Sequence, residues 1–185
     1  FLIKNKCLFV EQYNPEKLEF KNRENIAVLN APCGNVIIEL YPNVAPKSVE
    51  RFKFLIKKGE YNNVAFHRVI KNTLVQAGDL EFGKKNNLNY SYIGSGKSGY
   101  GSINSELNYP FEFTAGTVAL ARTNQKNTED SQFFILLVDA PLYQGEYSPV
   151  GKVIFGLDVL RKIKFDEKVE YVLRPDFINT FKLLK

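Results

Sequence analysis

The strongest constraint on the fold is a series of short apolar runs that are separated by glycine, proline and asparagine. Residues 25–30 and 36–40 are two such runs, and a Pro-Cys-Gly-Asn sequence at residues 32–35 lies between them. Apolar runs of this length around turn-forming residues are typical of a β-hairpin. The sequence therefore predicts a hairpin at the start of the core.

The same pattern continues along the chain and is interrupted by two helical segments. Residues 46–59 begin with a proline, which suits the first turn of a helix, and residues 157–163 are the second helix candidate. Further strand candidates are residues 64–70, 73–76, 117–121, 133–138, 150–154 and 177–183. About eight short strands with two helices predict a mainly β domain, either a closed antiparallel barrel or a sandwich.

Size and charge narrow the class of protein further. The chain has 185 residues, 44% of them hydrophobic, which is enough for one domain with a substantial core. Its net charge of +5 comes from scattered lysines and arginines, which predicts a solvated surface and argues against a nucleic-acid partner. No apolar run reaches the roughly 18 residues of a membrane span, so no transmembrane segment is expected.

We expect residues 1–24 to form an N-terminal extension and residues 25–185 to form the core domain.

Two further features resemble ligand sites without matching one. Cys7 and Cys33, with His67 as the single histidine, are too few for a zinc cluster. A disulfide between these cysteines is possible, but two free thiols are the favoured interpretation. Residues 94–101 are rich in glycine and include Lys97, yet their spacing differs from that of the Walker phosphate loop. We expect an ordinary surface loop there, and no metal or other cofactor.

Three sequence blocks carry a family resemblance. The first is Phe-His-Arg-Val-Ile at residues 66–70 followed by Gln-Ala-Gly-Asp at 76–79. The second is Gly-Thr-Val-Ala-Leu-Ala-Arg at 116–122 followed by Ser-Gln-Phe-Phe-Ile at 131–135, and the third spans 145–160. In order and spacing these blocks resemble the cyclophilins over roughly residues 25–183, and the bacterial type in particular, including alphaproteobacterial members. The resemblance is equally compatible with a bacterial cytoplasm or periplasm and with an organelle such as the mitochondrion.

The resemblance implies a fold, an activity and a set of site residues. The expected fold is a closed eight-stranded antiparallel β-barrel capped by two α-helices. The expected activity is peptidyl-prolyl cis-trans isomerisation without a cofactor, on proline-containing peptides and protein clients. Arg68 and Gln76 match the family's catalytic positions. The positions that match its substrate-binding residues are Phe66, Leu74, Ala121, Arg122, Gln132, Phe134, Leu142 and Tyr147.

The chemistry of this reaction suits an arginine. The barrier to rotation about an X–Pro bond exists because the nitrogen lone pair is delocalised into the carbonyl group. A catalyst needs neither a nucleophile nor a metal, since a donor aimed at the nitrogen of the twisted amide stabilises the transition state. The guanidinium of Arg68 is planar, permanently charged and rich in N–H donors. No proton is transferred, so we interpret His67 as a structural residue.

Some positions depart from the family pattern and leave alternatives open. Thr73 stands where an aromatic residue is usual, Leu74 replaces a more usual methionine, and Leu142 replaces a tryptophan or phenylalanine. Val150 also replaces a frequent aromatic residue. These changes predict a weaker grip on proline and on cyclosporin-like ligands.

A catalytically weak or inactive binding or scaffold subunit of a larger assembly is therefore the alternative function. Its protein partner would dock on the N-terminal extension, whose apolar residues are Phe1, Leu2, Ile3, Leu8, Phe9 and Val10. Nucleotide or nucleic-acid binding through the glycine-rich loop is a third hypothesis.

Overall fold

The structure, a computed structural model, describes residues 6–185. The eight strands are β1 Ile26–Ala31, β2 Gly34–Leu40, β3 Arg68–Ile70, β4 Leu74–Ala77, β5 Thr117–Leu120, β6 Phe133–Leu136, β7 Pro149–Phe155 and β8 Thr180–Leu183. Within the described residues, the α-helices of the core are α1 Pro46–Lys57 and α2 Leu157–Leu160, and the 3-10 helices are Pro15–Lys17, Arg23–Asn25, Lys85–Asn87 and Pro141–Tyr143. Among these described residues, no helix has both the length and the apolar character to cross a membrane.

All eight strands belong to one antiparallel sheet in the order β3-β4-β6-β5-β7-β2-β1-β8. The predicted hairpin is β1 and β2, which pair from Ile26 opposite Glu39 to Ala31 opposite Gly34. The mainly β, eight-stranded antiparallel fold with two helices is confirmed. The predicted closure of the barrel is not confirmed, because β3 and β8 form the two ends of the sheet. Within the described residues, the segment that precedes β3 and the segment that precedes β8 are joined by an isolated bridge between Ala65 and Phe177.

Several elements are shorter than the sequence predicts. The strand candidate 64–70 contributes only Arg68–Ile70 to the sheet, because Val64 and Ala65 form isolated bridges to Lys84 and Phe177 instead. Helix α2 ends at Leu160, and the backbone N–H groups of Lys162 and Ile163 make tighter i→i−3 bonds to the carbonyls of Val159 and Leu160, at 3.2 and 3.1 Å. Apolar pattern alone does not separate a strand from an irregular segment that is equally buried.

The curled sheet buries its core against α1. Phe52 of this helix lies 5.1–5.6 Å, ring centroid to ring centroid, from Tyr61, Phe133 and Phe181, and all four rings are almost fully buried. Aromatic rings in such tilted and edge-to-face contacts add to the energy of area burial. A second, smaller apolar cluster lies on the other face of the sheet and contains Leu74, Phe113, Ala119, Phe134 and Leu136.

The favoured prediction of two free thiols is wrong, because Cys7 and Cys33 form a disulfide. The N-terminal segment folds back over the turn between β1 and β2, and this brings the two Cα atoms within 5.1 Å. Gln12 Nε2 donates to the Cys33 carbonyl at 2.8 Å, and the Tyr13 ring lies 5.1 Å from that of Phe155. The spacing of Cys7 and Cys33 in the sequence does not predict that they lie close together, because their distance depends on how the N-terminal segment packs on the sheet.

Candidate active site

The register of four neighbouring strands places three of the predicted site residues, Arg68, Gln76 and Phe134, in one row. Arg68 of β3 pairs with Gln76 of β4, Gln76 pairs with Phe134 of β6, and Phe134 pairs with Ala119 of β5. Residues that pair directly across antiparallel strands point to the same face of the sheet. This face therefore presents a guanidinium, an amide and an aromatic ring side by side.

A chain of hydrogen bonds fixes the polar end of this row. Arg68 Nη1 donates to Gln76 Oε1 at 3.0 Å, and Gln76 Nε2 donates to Gln132 Oε1 at 3.0 Å. Gln132 Nε2 then donates to the carbonyl oxygens of Gly94 at 2.9 Å and Gly96 at 3.1 Å. Each amide is held at both its oxygen and its nitrogen, so the orientation of the guanidinium is coupled to the glycine-rich loop.

Aromatic side chains form the apolar end. The Phe134 ring is 4% exposed, and the rings of Tyr143 and Tyr147 meet it edge to face at 5.8 and 5.1 Å. Arg122 packs on the Tyr147 ring, with its guanidinium carbon 5.0 Å from the ring centroid. Its Nε donates to the Glu146 carbonyl at 2.9 Å. These contacts immobilise the wall beside the guanidinium of Arg68.

A cavity of about 590 Å³ opens between the polar and the apolar end. The predicted site residues that line it are Arg68, Leu74, Gln76, Ala121, Arg122, Gln132, Phe134 and Tyr147. The backbone N–H of Ala121 is not free to bind a peptide, because it donates to the Gln132 carbonyl at 2.9 Å. A bound peptide would have to use the other backbone groups of this segment.

Two predicted substrate-binding residues do not line the cavity. Phe66 is fully buried in the main core, and its backbone N–H donates to the Asp176 carbonyl at 2.9 Å. Leu142 is 88% exposed in the 3-10 helix Pro141–Tyr143. Consecutive side chains of a 3-10 helix point about a third of a turn apart, so Tyr143 enters the wall while Leu142 points away.

Besides Leu142, two of the four departures from the family pattern lie away from the cavity. Thr73 and Val150 are both absent from the cavity lining. The hydroxyl of Thr73 donates to the Lys71 carbonyl at 3.1 Å, and Val150 is fully buried in the main core. Tyr143 contributes an aromatic ring to the cavity wall.

Several cavity residues were missed by the sequence reasoning. They are Tyr143, the loop residues Gly94, Ser95, Gly96 and Lys97, the polar group Thr123, Asn124, Thr128, Asp130 and Ser131, and the pair Glu170 and Tyr171. The glycine-rich loop reaches the cavity because buried Asp79 accepts hydrogen bonds from the backbone N–H of Gly94 and Gly96 and anchors it. The sequence offers no signal for Glu170, since about a hundred residues separate it from Arg68.

His67 lies outside the cavity lining and is fully buried. Burial lowers the pKa of its imidazole from 6.5 to about 4, because a charged ring would lose its hydration. Its side chain is therefore neutral near pH 7. This charge state agrees with an isomerisation in which no proton moves.

The fold and the site together define a mainly β protein with an arginine in a cavity that has one polar and one apolar end. Comparison with known proteins gives the family. The model of the family described as cyclophilin type peptidyl-prolyl cis-trans isomerase/CLD matches residues 26–182. This chain belongs to that family.

Relatives and solved structures agree with this assignment. The probable peptidyl-prolyl cis-trans isomerase of Brucella suis is 40% identical over 158 residues, which cover 84% of this chain and 80% of the relative. Peptidyl-prolyl cis-trans isomerase B of Escherichia coli is 34% identical, with 71% of this chain and 79% of the relative covered.

Two crystal structures have the same fold as this chain. A Cryptosporidium parvum cyclophilin, crystallised in the presence of the dipeptide Ala-Pro, has a TM-score of 0.74 and 26% identity, covering 86% of this chain and 99% of that one. A cyclophilin from Hirschia baltica also has a TM-score of 0.74, with 21% identity and coverage of 92% and 80%. At this lower identity the second likeness concerns the fold alone.

Proposed function

We propose that this chain accelerates cis-trans isomerisation of X–Pro bonds in peptides and protein clients, with Arg68 stabilising the twisted amide. One observation is central to the proposal: the guanidinium of Arg68 is held by Gln76 at the edge of an apolar pocket that Leu74, Phe134 and Tyr147 line. The apolar end of the cavity, formed by these side chains, is suited to hold a pyrrolidine ring. The guanidinium would then lie next to the bond that rotates.

The catalytic effect follows from the electronic structure of the twisted amide. When the X–Pro bond turns out of plane, the lone pair returns to the nitrogen, which becomes a hydrogen-bond acceptor. A guanidinium has five N–H groups, and the contacts of Arg68 with Gln76 and Glu170 use three of them. The remaining two can donate to the nitrogen, and each 1.36 kcal/mol of preferential stabilisation raises the rate about tenfold.

The test is exchange NMR on a short X–Pro peptide with the wild-type chain and with Arg68→Ala. The uncatalysed step takes tens to hundreds of seconds, so exchange broadening at catalytic enzyme concentrations reports catalysis directly. We expect Arg68→Ala to lose at least about tenfold in exchange rate. Arg23→Ala is the matched control, because Arg23 contacts the Lys185 carbonyl far from the cavity residues.

Two results would contradict the proposal. Wild-type protein that binds the peptide without exchange broadening would favour the binding or scaffold function. An unchanged rate in Arg68→Ala, with a folded spectrum, would remove Arg68 from the mechanism.

The exposed side chains of Leu8 and Phe9 are the observation that favours the scaffold alternative. Leu8 is 55% exposed and Phe9 is fully exposed, next to the disulfide at Cys7. Phe1, Leu2 and Ile3, which the sequence also assigns to this docking surface, lie outside the described residues. A photo-reactive residue at position 9 would cross-link one protein in cells under this hypothesis, whereas the same probe at exposed Glu11 would not. Equal or absent cross-linking at both positions would reject it.

A further inference from the structure

A segment near the C-terminus lies against the strand that contains Arg68. Its backbone pairs with β3: Val69 N–H donates to the Glu170 carbonyl at 2.8 Å, and Val172 N–H donates to the His67 carbonyl at 2.9 Å. An isolated antiparallel bridge joins Arg68 to Tyr171. Glu170 and Tyr171 consequently form one side of the cavity.

The Glu170 carboxylate contacts two nitrogen atoms of the Arg68 guanidinium. Nε donates to Oε2 at 2.7 Å, and Nη2 lies 2.7 Å from the same oxygen. Charge-assisted bonds of this length are the stronger class of protein hydrogen bond. The pair is nevertheless partly solvated, with side chains 29% and 50% exposed, so it adds little to the stability of the fold.

The contacts of Arg68 lie on different edges of its guanidinium. Gln76 Oε1 accepts from Nη1, while Glu170 accepts from the edge formed by Nε and Nη2. A single bond to Gln76 would leave the planar group free to turn about that bond. Acceptors on two edges fix both the plane and the direction in which the remaining N–H groups point.

Glu170 can act as a fixed point because its own segment is well anchored. Leu173 N–H donates to Asp166 Oδ2 at 2.9 Å, and Lys164 Nζ donates to the Leu173 carbonyl at 2.7 Å. Val172 is 3% exposed and belongs to the main core. The carboxylate therefore projects from a backbone that is anchored by the Glu170 carbonyl and by the residues that follow it.

We propose that Glu170 is a positioning residue for the isomerase reaction, which aligns the guanidinium of Arg68 with the proline nitrogen. The inference rests on the proposed function of Arg68. Because alignment matters most in the twisted state, the loss of Glu170 should lower the rate of the bound peptide more than it weakens peptide binding. The expected change is several-fold, since a half-exposed carboxylate is screened by water.

The experiment compares Glu170→Ala and Glu170→Gln with wild type by exchange NMR at subsaturating and saturating peptide. We expect the rate at saturation to fall about three- to tenfold in Glu170→Ala and less in Glu170→Gln, while Kd changes less than about twofold. Glu167→Gln is the matched control, because Glu167 belongs to the same segment but pairs with Lys71 at 3.4 Å outside the cavity lining. It should behave as wild type.

A readout independent of activity is the Nε–Hε NMR signal of Arg68. It should be protected from solvent exchange in wild type and in Glu167→Gln, and lose that protection in Glu170→Ala. In an Arg68→Lys background, Glu170→Ala should have no further effect on rate, because lysine has no planar fork to align.

The outcomes separate this inference from the proposed function. If Arg68→Ala is inactive while Glu170→Ala has the wild-type rate, Arg68 keeps its role and the positioning role of Glu170 is rejected. A faster Glu170→Ala would also reject it, since the carboxylate would then restrain the arginine. If Arg68→Ala keeps full activity, the catalytic role of Arg68 is rejected and the inference about Glu170 fails with it, although the chain is still an isomerase.

Discussion

His67 is the buried neighbour of Arg68 in the sequence, and its environment favours the neutral imidazole. Within the described residues, neither ring nitrogen has a hydrogen-bond partner, and the Tyr171 ring lies 6.1 Å away. Burial lowers the pKa of the imidazole to about 4, so the folded protein resists a charge at this position. His67 therefore makes the stability of the strand that contains Arg68 depend on pH.

The direction of this dependence follows from proton uptake. The unfolded chain binds a proton at His67 below pH 6.5, whereas the folded protein binds it only near pH 4. The free energy of unfolding should therefore fall by about 2 kcal/mol from this residue between pH 7 and pH 5. Urea unfolding at a series of pH values measures it. In His67→Gln the curve should be flatter over this window, and an unchanged slope would assign the pH dependence to other groups.

Among the elements, the 3-10 helix Pro141–Tyr143 decides which side chain completes the pocket. Leu142 points to solvent, while the Tyr143 ring lies 5.8 Å from Phe134 and 5.0 Å from Tyr147. The residue that forms the pocket wall is thus set by how this 3-10 helix is rotated about its axis. A family alignment identifies the turn but not the residue that faces inward.

Substitutions at these two adjacent positions should differ in their effect. Tyr143→Ala removes an aromatic wall of the cavity, and we expect it to weaken binding of a short X–Pro peptide about tenfold. Leu142→Ala should change Kd by less than about twofold, because its side chain is exposed. NMR titration measures both values, and a larger effect at Leu142 than at Tyr143 would place the bound peptide outside the cavity described above.

Helix α1 shows how another element depends on distant parts of the chain. Ala45 at its N-terminus has no side chain that can cap the first turn. Glu106 takes that role, because its Oε1 accepts from the backbone N–H of Ser48 at 2.6 Å and its Oε2 accepts from that of Lys47 at 3.2 Å. A carboxylate at a helix N-terminus also interacts favourably with the helix dipole.

At the scale of the whole molecule, the disulfide joins the N-terminal segment to the core. The covalent link between Cys7 and Cys33 encloses a separation of 26 residues that includes all of β1. Closing a loop of this length restricts the unfolded chain and stabilises the fold by about 3 kcal/mol. Within the described N-terminal residues 6–25, none lines the cavity.

Removal of the disulfide should therefore separate stability from activity. The double variant Cys7→Ala and Cys33→Ala should lose up to about 3 kcal/mol in the free energy of unfolding, measured by urea unfolding without reductant. The exchange rate of an X–Pro peptide should remain that of wild type below the unfolding transition. A change in rate on reduction or substitution would mean that the N-terminal segment acts on the site.

Much of the fold and part of the candidate site could be predicted from local pattern. The hairpin at residues 26–40 and helix α1 follow from turn residues and from a proline at the first helical position. The motif around Arg68 and Gln76 follows from order and spacing, and the two residues pair directly in the sheet. Such features depend on residues that are close in sequence, and their physical cause is local.

Only the tertiary structure decided the features that join distant residues. The Cys7–Cys33 disulfide, the Glu106 cap on α1 and the Glu170 carboxylate on Arg68 all depend on how separate segments pack together. The sequence by itself determined the strand pattern and the family, because hydrophobic period and motif spacing are properties of neighbouring residues. Contacts across a hundred residues are fixed by the curvature of the sheet and the packing of loops on it, which no local pattern encodes.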